Sequence, residues 1–153
     1  MGLSFEETGN ILKDIYFVSE EKIRLLLNVV KKGMKYLDHK TIGIYIGVAF
    51  CPTKCTYCSF PAYLLKGEYA KRYLDYLDAL YKEVAEIGEF AKEEGLKINT
   101  VYIGGGTPSI LSEKEIEKLL LTVVENSDLT FLKEFTFEAG RIDTLNREKL
   151  EII

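Results

Sequence analysis

The chain has 153 residues, of which 47% are hydrophobic and 29% charged, with a formal net charge of −4. This length and composition are those of an ordinary globular domain with its own hydrophobic core. Lysines and glutamates are interspersed without a basic patch, which argues against nucleic-acid binding, and no apolar run approaches the ~20 residues that a membrane span needs.

The first half of the chain predicts a helix, a strand and a second helix. The first helix is expected over residues 19–37, capped by Ser19, with an apolar face of Ile23, Leu26, Leu27 and Val30. Thr41–Val48 alternates as a strand does, with isoleucines and a valine on one side. After a loop, helical periodicity returns over Glu68–Glu94, and Gly95 suits the end of that helix.

The second half repeats the alternation of strand and helix. Ile98–Ile103 predicts a strand that leads into Gly-Gly-Gly-Thr-Pro at residues 104–108. Ser112 and Glu115 form a capping box for a helix that extends to about Glu125. A third strand is expected over Lys133–Glu138, followed by a loop over residues 139–144 and a helix from about Asn146.

This order of elements predicts an α/β fold with parallel strands joined by right-handed crossovers. Ligand sites in such sheets gather at the carboxyl ends of the strands. Three distinctive features fall there, one per strand: a cysteine-rich loop, the Gly104–Pro108 segment and Glu138. Three βα units cannot close a barrel, so we expect a piece of a longer protein. Residues 1–40 are then a helical linker or the tail of an upstream domain.

All three cysteines lie in one short segment, Cys51-Pro-Thr-Lys-Cys55-Thr-Tyr-Cys58, which we call the cysteine loop (residues 51–58). Three clustered thiolates can hold three irons of a [4Fe–4S] cluster and leave the fourth iron open for chemistry. An odd, clustered set argues against a disulfide framework. The acidic N-terminus is unlike a signal peptide, so a reducing cytoplasm is the expected compartment.

Two other metal centres are alternatives for these cysteines. A structural zinc site needs four protein ligands, and His39 is the single histidine of the chain. It precedes the first strand, whose ~25 Å length is expected to hold it away from the cysteine loop. A ferredoxin-type electron carrier needs a fourth cysteine. The open [4Fe–4S] site is therefore the predicted one.

The C-x3-C-x2-C spacing, with Tyr57 before the last cysteine, resembles the signature of radical S-adenosylmethionine (SAM) enzymes. Three further segments extend the likeness to the oxygen-independent coproporphyrinogen III oxidase family, and the last of them is similar to its HemZ branch. They are Ile44-Tyr-Ile-Gly-Val-Ala-Phe-Cys51, Val101-Tyr-Ile-Gly-Gly-Gly-Thr-Pro108 and Phe135-Thr-Phe-Glu-Ala-Gly-Arg141. The resemblance implies the first half of a partial (β/α)6 barrel, with residues 41–153 as its truncated N-terminal part.

The resemblance also implies a role for each matching residue. The three cysteines would ligate irons, and the fourth iron would chelate the amino and carboxylate groups of SAM, whose reductive cleavage gives a 5′-deoxyadenosyl radical. The positions that match SAM contacts are Tyr45, Tyr57, Gly105, Gly106, Thr107 and Glu138. No further catalytic side chain is implied.

Four positions near the predicted site also have a purely structural interpretation. Tyr57 could pack within the loop, Tyr45 could be a core residue, and Gly104 could serve a tight turn. Glu138 is expected to be partly buried, and a buried carboxylate needs a partner. That partner would be the SAM ammonium or, alternatively, Arg141, which could itself bind a carboxylate of SAM or of a substrate.

The implied reaction is the oxygen-independent oxidative decarboxylation of coproporphyrinogen III to protoporphyrinogen IX, with reduced flavodoxin or a ferredoxin-type protein as electron donor. Gly47, Ala49 and Phe60 depart from residues common in the oxidase branch, so a haem chaperone of the same family is an alternative. An iron–sulfur electron carrier is an alternative of another class. We expect that the 153-residue chain alone cannot convert its substrate.

Overall fold

The computed structural model describes residues 2–34 and 40–153. The chain forms two compact units, Met1–His39 and Lys40–Ile153. Among the described residues, no helix combines the length and the apolar character that crossing a bilayer requires. The predicted separation of His39 from the cysteine loop lies outside the described residues.

Over residues 2–34, the first unit contains two helices, α1 (Phe5–Asp14) and α2 (Glu20–Met34). Ser4 and Glu7 close a capping box at the start of α1, a signal that the prediction for this region did not use. Helix α2 begins directly after Ser19, as expected, and residues 35–37 of the predicted helix lie outside the described residues.

The second unit is built on a parallel sheet of three strands, β1 (Thr41–Val48), β4 (Lys97–Gly105) and β5 (Glu134–Phe137), in the order β1-β4-β5. Two short strands, β2 (Phe50–Cys51) and β3 (Tyr63–Leu64), lie between β1 and β4 along the chain and pair with each other in parallel as a separate sheet. The predicted α/β class with parallel strands is confirmed. Strand β4 runs two residues further than predicted, so its last residues are the first glycines of Gly104–Pro108.

Four helices complete this unit: α3 (Glu68–Lys71), α4 (Tyr73–Glu93), α5 (Glu113–Asn126) and α6 (Arg147–Ile152). The prediction of one continuous helix over residues 68–94 was wrong at Arg72, whose backbone (φ −96°, ψ 2°) leaves the helical region. Gly95 ends the segment with φ +64°, and the capping box of Ser112 and Glu115 starts α5 as predicted.

The core lies between the sheet and helices α4 and α5. The inward side chains of β1 are the predicted Ile44, Ile46 and Val48, and those of β4 include Val101 and Ile103, both fully buried. We call the face of the sheet that packs on these helices the covered face. Because side chains alternate along a strand, the neighbouring residues of each strand lie on the opposite face. We call that opposite face the open face of the sheet.

Candidate active site

A cavity of about 470 Å³ lies at the carboxyl ends of β1, β4 and β5. The segments that follow all three strands line it, as the sequence predicts for a parallel α/β sheet. Seven of the nine predicted site residues are among its lining residues: Cys51, Cys55, Tyr57, Cys58, Gly106, Thr107 and Glu138. Tyr45 and Gly105 are not.

The backbone on either side of the cysteine loop is held by the β2–β3 pair. Tyr63 N donates to Ala49 O at 2.8 Å, and Leu65 N donates to Cys51 O at 3.0 Å. The chain runs from β2 through the cysteine loop to β3, which pairs with β2. The two ends of this segment are therefore held against each other. This pair is hard to predict from the sequence because each strand is only two residues long.

Aromatic packing fixes the start of the loop from the helix side. Phe50 is buried and meets the rings of Tyr73 and Tyr76 edge to face, at centroid distances of 5.7 and 5.0 Å. The Tyr76 hydroxyl donates to Gly47 O at 3.0 Å and accepts from Ala49 N at 3.1 Å. Burial raises the pKa of Tyr76, so the hydroxyl stays protonated and able to donate.

Each cysteine sulfur accepts a hydrogen bond from the protein. The Thr107 hydroxyl donates to Cys51 Sγ at 3.3 Å, Phe60 N donates to Cys58 Sγ at 3.4 Å, and an Arg141 Nη donates to Cys55 Sγ at 3.6 Å. Hydrogen bonds to ligating sulfurs are one of the means by which a protein tunes an iron–sulfur cluster. Thr107 therefore has a contact that the sequence analysis did not foresee, directly to a cysteine.

Close backbone approach requires a glycine at the last residue of β4, Gly105, and at the residue after it, Gly106. A Cβ at Gly106 would lie 2.7 Å from Phe50 O and 3.0 Å from Cys51 Sγ. Gly105 has φ +109°, and a Cβ there would lie 2.6 Å from Val48 O. Gly105 thus packs on β1, which explains why it does not line the cavity, whereas Gly106 lies against the cysteine loop itself.

Glu138 is held by a tyrosine on the open face of the sheet. The Tyr102 hydroxyl donates to Glu138 Oε1 at 2.5 Å, and this bond raises the pKa of Tyr102. Tyr102 stacks on Tyr45 with ring centroids 5.7 Å apart. A Cβ at Gly104 would lie 2.7 Å from the Tyr102 ring and 3.1 Å from Glu138 Oε2, so the glycine gives the ring and the carboxylate their space.

One expectation and one alternative interpretation of individual residues were wrong. Glu138 is exposed, not partly buried, because β5 ends at Phe137 and the carboxylate lies at the edge of an open cavity. Tyr45 is 58% exposed and stacks on Tyr102, so it is not a core residue. It also lies outside the cavity lining.

Arg141 does not pair with Glu138, as the alternative interpretation held, but with Asp143. Its Nε donates to Asp143 Oδ1 at 2.9 Å, and a second N–H reaches Asp143 Oδ2. The guanidinium holds the pKa of Asp143 below its usual range. Arg141 also reaches Thr53 of the cysteine loop, so it bridges two of the segments that line the cavity.

The donor set fits an iron–sulfur cluster better than a single metal ion. Within residues 2–34 and 40–153, no three His, Cys, Asp or Glu side chains converge on a common point where one ion could be held. A four-iron cube differs, because each cysteine binds a different iron and the sulfurs need not converge. Three thiols that line one cavity, each with a donor on its sulfur, suit that arrangement.

Sequence reasoning missed the roles of Tyr102 and Asp143. Tyr102 meets Tyr45 because the register of β1 and β4 pairs these two residues, and no local pattern of the sequence sets that register. The contact of Asp143 depends on how the segment after β5 turns, for which the sequence carries little signal.

Comparisons with known proteins agree with this geometry. Residues 45–153 match the family model described as the Radical SAM superfamily. The chain is 39% identical over 158 residues to the "Oxygen-independent coproporphyrinogen-III oxidase-like protein HemZ" of Bacillus subtilis (strain 168), an alignment that covers 99% of this chain and 31% of that protein.

Two other relatives carry different names. The "Heme chaperone HemW" of Lactococcus lactis subsp. lactis (strain IL1403) is 38% identical over 114 residues, which cover 74% of this chain and 27% of that protein. The "Anaerobilin synthase" of Escherichia coli O157:H7 is 31% identical over 113 residues, covering 71% and 23%. The chain spans less than a third of the length of these relatives. No solved structure gives a significant match.

Proposed function

The chain belongs to the radical SAM superfamily, and on that premise we propose that its second unit supplies the [4Fe–4S] and SAM site of a protein that acts on a tetrapyrrole. The observation that carries the proposal is the convergence of three cysteines, Thr107, Gly106 and Glu138 on one cavity at the strand ends. The tetrapyrrole is inferred from the relatives, whose names concern coproporphyrinogen or haem.

In this proposal Cys51, Cys55 and Cys58 ligate three irons. With SAM bound, the cluster supplies one-electron chemistry in a site shielded by protein. Thr107 and Arg141 hold the sulfurs of Cys51 and Cys55 through hydrogen bonds, and both hydrogen bonds spread the negative charge of the thiolates.

The SAM contacts that we propose divide into two groups. Tyr57, Gly106, Thr107 and Glu138 line the cavity and can touch the ligand directly. The Glu138 carboxylate is assigned to the ammonium, because it lines the cavity and carries the opposite charge. Tyr57 is 89% exposed and offers a free ring face for the adenine. Tyr45 and Gly105 act indirectly, by supporting Tyr102 and by packing on β1.

The reaction that we propose is the oxygen-independent oxidative decarboxylation of coproporphyrinogen III to protoporphyrinogen IX, with a reduced flavodoxin or ferredoxin-type donor in the cytoplasm. It is supported by the HemZ likeness, which extends over nearly the whole chain. A haem chaperone is the second candidate, favoured by the likeness to HemW proteins. Substrate contacts from the rest of a longer protein would decide between them.

The test is carried out anaerobically on the full-length protein that contains this chain, after reconstitution with iron and sulfide. EPR spectra of the reduced cluster are recorded with and without SAM, and Cys58→Ala serves as the control without a cluster. A spectrum that changes on SAM addition supports the proposed site. An unchanged spectrum would indicate an electron carrier and contradict it.

The two tetrapyrrole functions are then separated by two further assays. Conversion of coproporphyrinogen III to protoporphyrinogen IX, dependent on SAM and on a reductant, supports the oxidase. Stoichiometric haem binding by a protein that produces no protoporphyrinogen IX supports the chaperone and overturns the oxidase assignment.

A further inference from the structure

Arg141 is fully engaged by the protein. A guanidinium carries five N–H donors, and each has an acceptor here. Two go to the carboxylate of Asp143. Two go to Thr53, one to its Oγ1 at 3.0 Å and one to its carbonyl at 3.4 Å. The fifth goes to Cys55 Sγ at 3.6 Å. The side chain is 23% exposed and the residue lines the cavity.

This arrangement disfavours a ligand-binding role for Arg141. To bind a carboxylate of SAM or of a substrate in the usual bidentate way, the guanidinium would have to release two of its present acceptors. Releasing Asp143 would leave a carboxylate without its cation, and releasing Thr53 and Cys55 would separate the segment after β5 from the cysteine loop. The contacts therefore indicate that the Arg141 guanidinium binds groups of the protein and not a ligand.

We propose that Arg141 is a positioning residue that fixes the segment after β5 to the cysteine loop. Its guanidinium also holds a permanent positive charge beside the Cys55 sulfur, and this charge raises the reduction potential of the cluster. The inference rests on the proposed function, since it requires that Cys55 ligate iron. Thr53 gives the geometry, because both of its oxygens are bound by the same guanidinium. The guanidinium therefore meets the loop in a single orientation.

The sign of the effect follows from the charges. Reduction adds an electron and makes the cluster more negative, so a nearby cation favours the reduced state. The Asp143 carboxylate opposes this effect. Arg141 donates directly to the sulfur through Nη1, whereas Asp143 accepts from Nε and Nη2 of the guanidinium. The cation is therefore nearer to the cluster and its effect dominates.

Opposite shifts in two variants test the proposal. Arg141→Gln removes the cation and is expected to lower the equilibrium constant for one-electron reduction about tenfold, which is about 59 mV. Asp143→Asn removes the carboxylate that partly offsets the Arg141 charge. It is expected to raise the equilibrium constant for reduction by a smaller factor. Arg141→Lys keeps a positive charge without the planar fork and is expected to fall between Arg141→Gln and the wild type.

The midpoint potential is measured by EPR-monitored redox titration of the reconstituted full-length protein. Arg147→Gln is the matched control, since it makes the same change in net charge on α6, where Arg147 is 87% exposed and pairs with Glu151. Its potential is expected to equal that of the wild type.

The outcomes separate this inference from the proposed function. A wild-type protein that takes up no cluster overturns both. A cluster whose potential is the same in the wild type, Arg141→Gln and Asp143→Asn overturns the inference alone, as would shifts in the same direction. If Arg141→Gln retains too little cluster to titrate, the sign of the Asp143→Asn shift decides: an upward shift supports the inference, and no shift or a downward one overturns it.

Discussion

The two faces of the parallel sheet differ sharply although they belong to the same strands. On the covered face, Ile46, Val48 and Ile103 are at most 3% exposed and pack under helices α4 and α5. On the open face, Tyr45 and Tyr102 stack on each other, with glycines two residues further along each strand. One face holds the fold together, while the other directs polar groups toward the cavity.

The glycines explain how the open face reaches the site. Cβ atoms at Gly47 and Gly104 would lie 3.3 and 2.7 Å from the rings of Tyr45 and Tyr102. The rings therefore lie along the strands over these glycines, toward the carboxyl ends. Their direction brings the Tyr102 hydroxyl to Glu138. Substitutions on the open face and in the loops should thus alter ligand binding, and substitutions on the covered face should alter stability.

The largest effect is expected from Cys58→Ala. A cube held by two cysteines is poorly retained, so iron content after reconstitution should fall to less than about a tenth of the wild-type value. Cys58 is exposed, so the circular dichroism spectrum and the urea midpoint should stay as in the wild type. A variant that unfolds, or one that keeps its full iron content, would contradict the division between the site and the fold.

Ile103→Ala should show the opposite pattern. Ile103 is fully buried, and removal of such a side chain costs about 2–5 kcal/mol of unfolding free energy. Urea denaturation measures the loss, and Ile103→Val, with an expected cost of about 0.5–1.5 kcal/mol, covers the case in which the alanine variant does not fold. The iron content per folded molecule should not change. A stability equal to that of the wild type would refute the assigned core.

Gly88→Ala tests the contact between α4 and α5. A Cβ at Gly88 would lie 2.5 Å from Asn126 O and 2.8 Å from Ser127 Oγ, so the helices must separate, at an expected cost of about 1–3 kcal/mol. Gly33→Ala in α2 is the matched control. Its Cβ meets nothing within 4 Å, and alanine there should stabilise the helix by about 0.5–1 kcal/mol. Equal effects of the two substitutions would contradict the close packing.

Tyr102→Phe is expected to have the smallest effect on stability and to act on the site instead. It keeps the ring that stacks on Tyr45 and removes only the hydroxyl that donates to Glu138. The unfolding free energy should change by less than about 1 kcal/mol. The affinity for SAM, measured by EPR titration of the reduced cluster, should fall about three- to tenfold, because Glu138 is no longer oriented.

Tyr73→Phe is the control for that measurement. It also removes a hydroxyl that donates to a glutamate, Glu115 Oε2 at 3.0 Å, but at the junction of α4 and α5 and outside the cavity lining. We expect it to lower stability without changing the affinity for SAM. Similar affinities in the two variants would show that Tyr102 does not position Glu138.

Much of the architecture could be predicted from local signals. Alternation places Ile44, Ile46 and Val48 on one face of β1, and the capping box of Ser112 and Glu115 starts α5. These signals work because each involves residues at most four positions apart, whose geometry the backbone period fixes. The break at Arg72 escaped prediction because helical periodicity continues across it.

The sequence by itself determined which segments meet at the candidate site. The sequence sets the positions of the three cysteines and of the glycines at residues 104–106 along the chain. The parallel βα order alone then brings these residues to one edge of the sheet. Tertiary structure decided which side chains meet there: Tyr102 with Glu138, Thr107 with Cys51, and Arg141 with Asp143, Thr53 and Cys55. Such contacts join residues from different segments, so they depend on strand register and loop path, which no local pattern encodes.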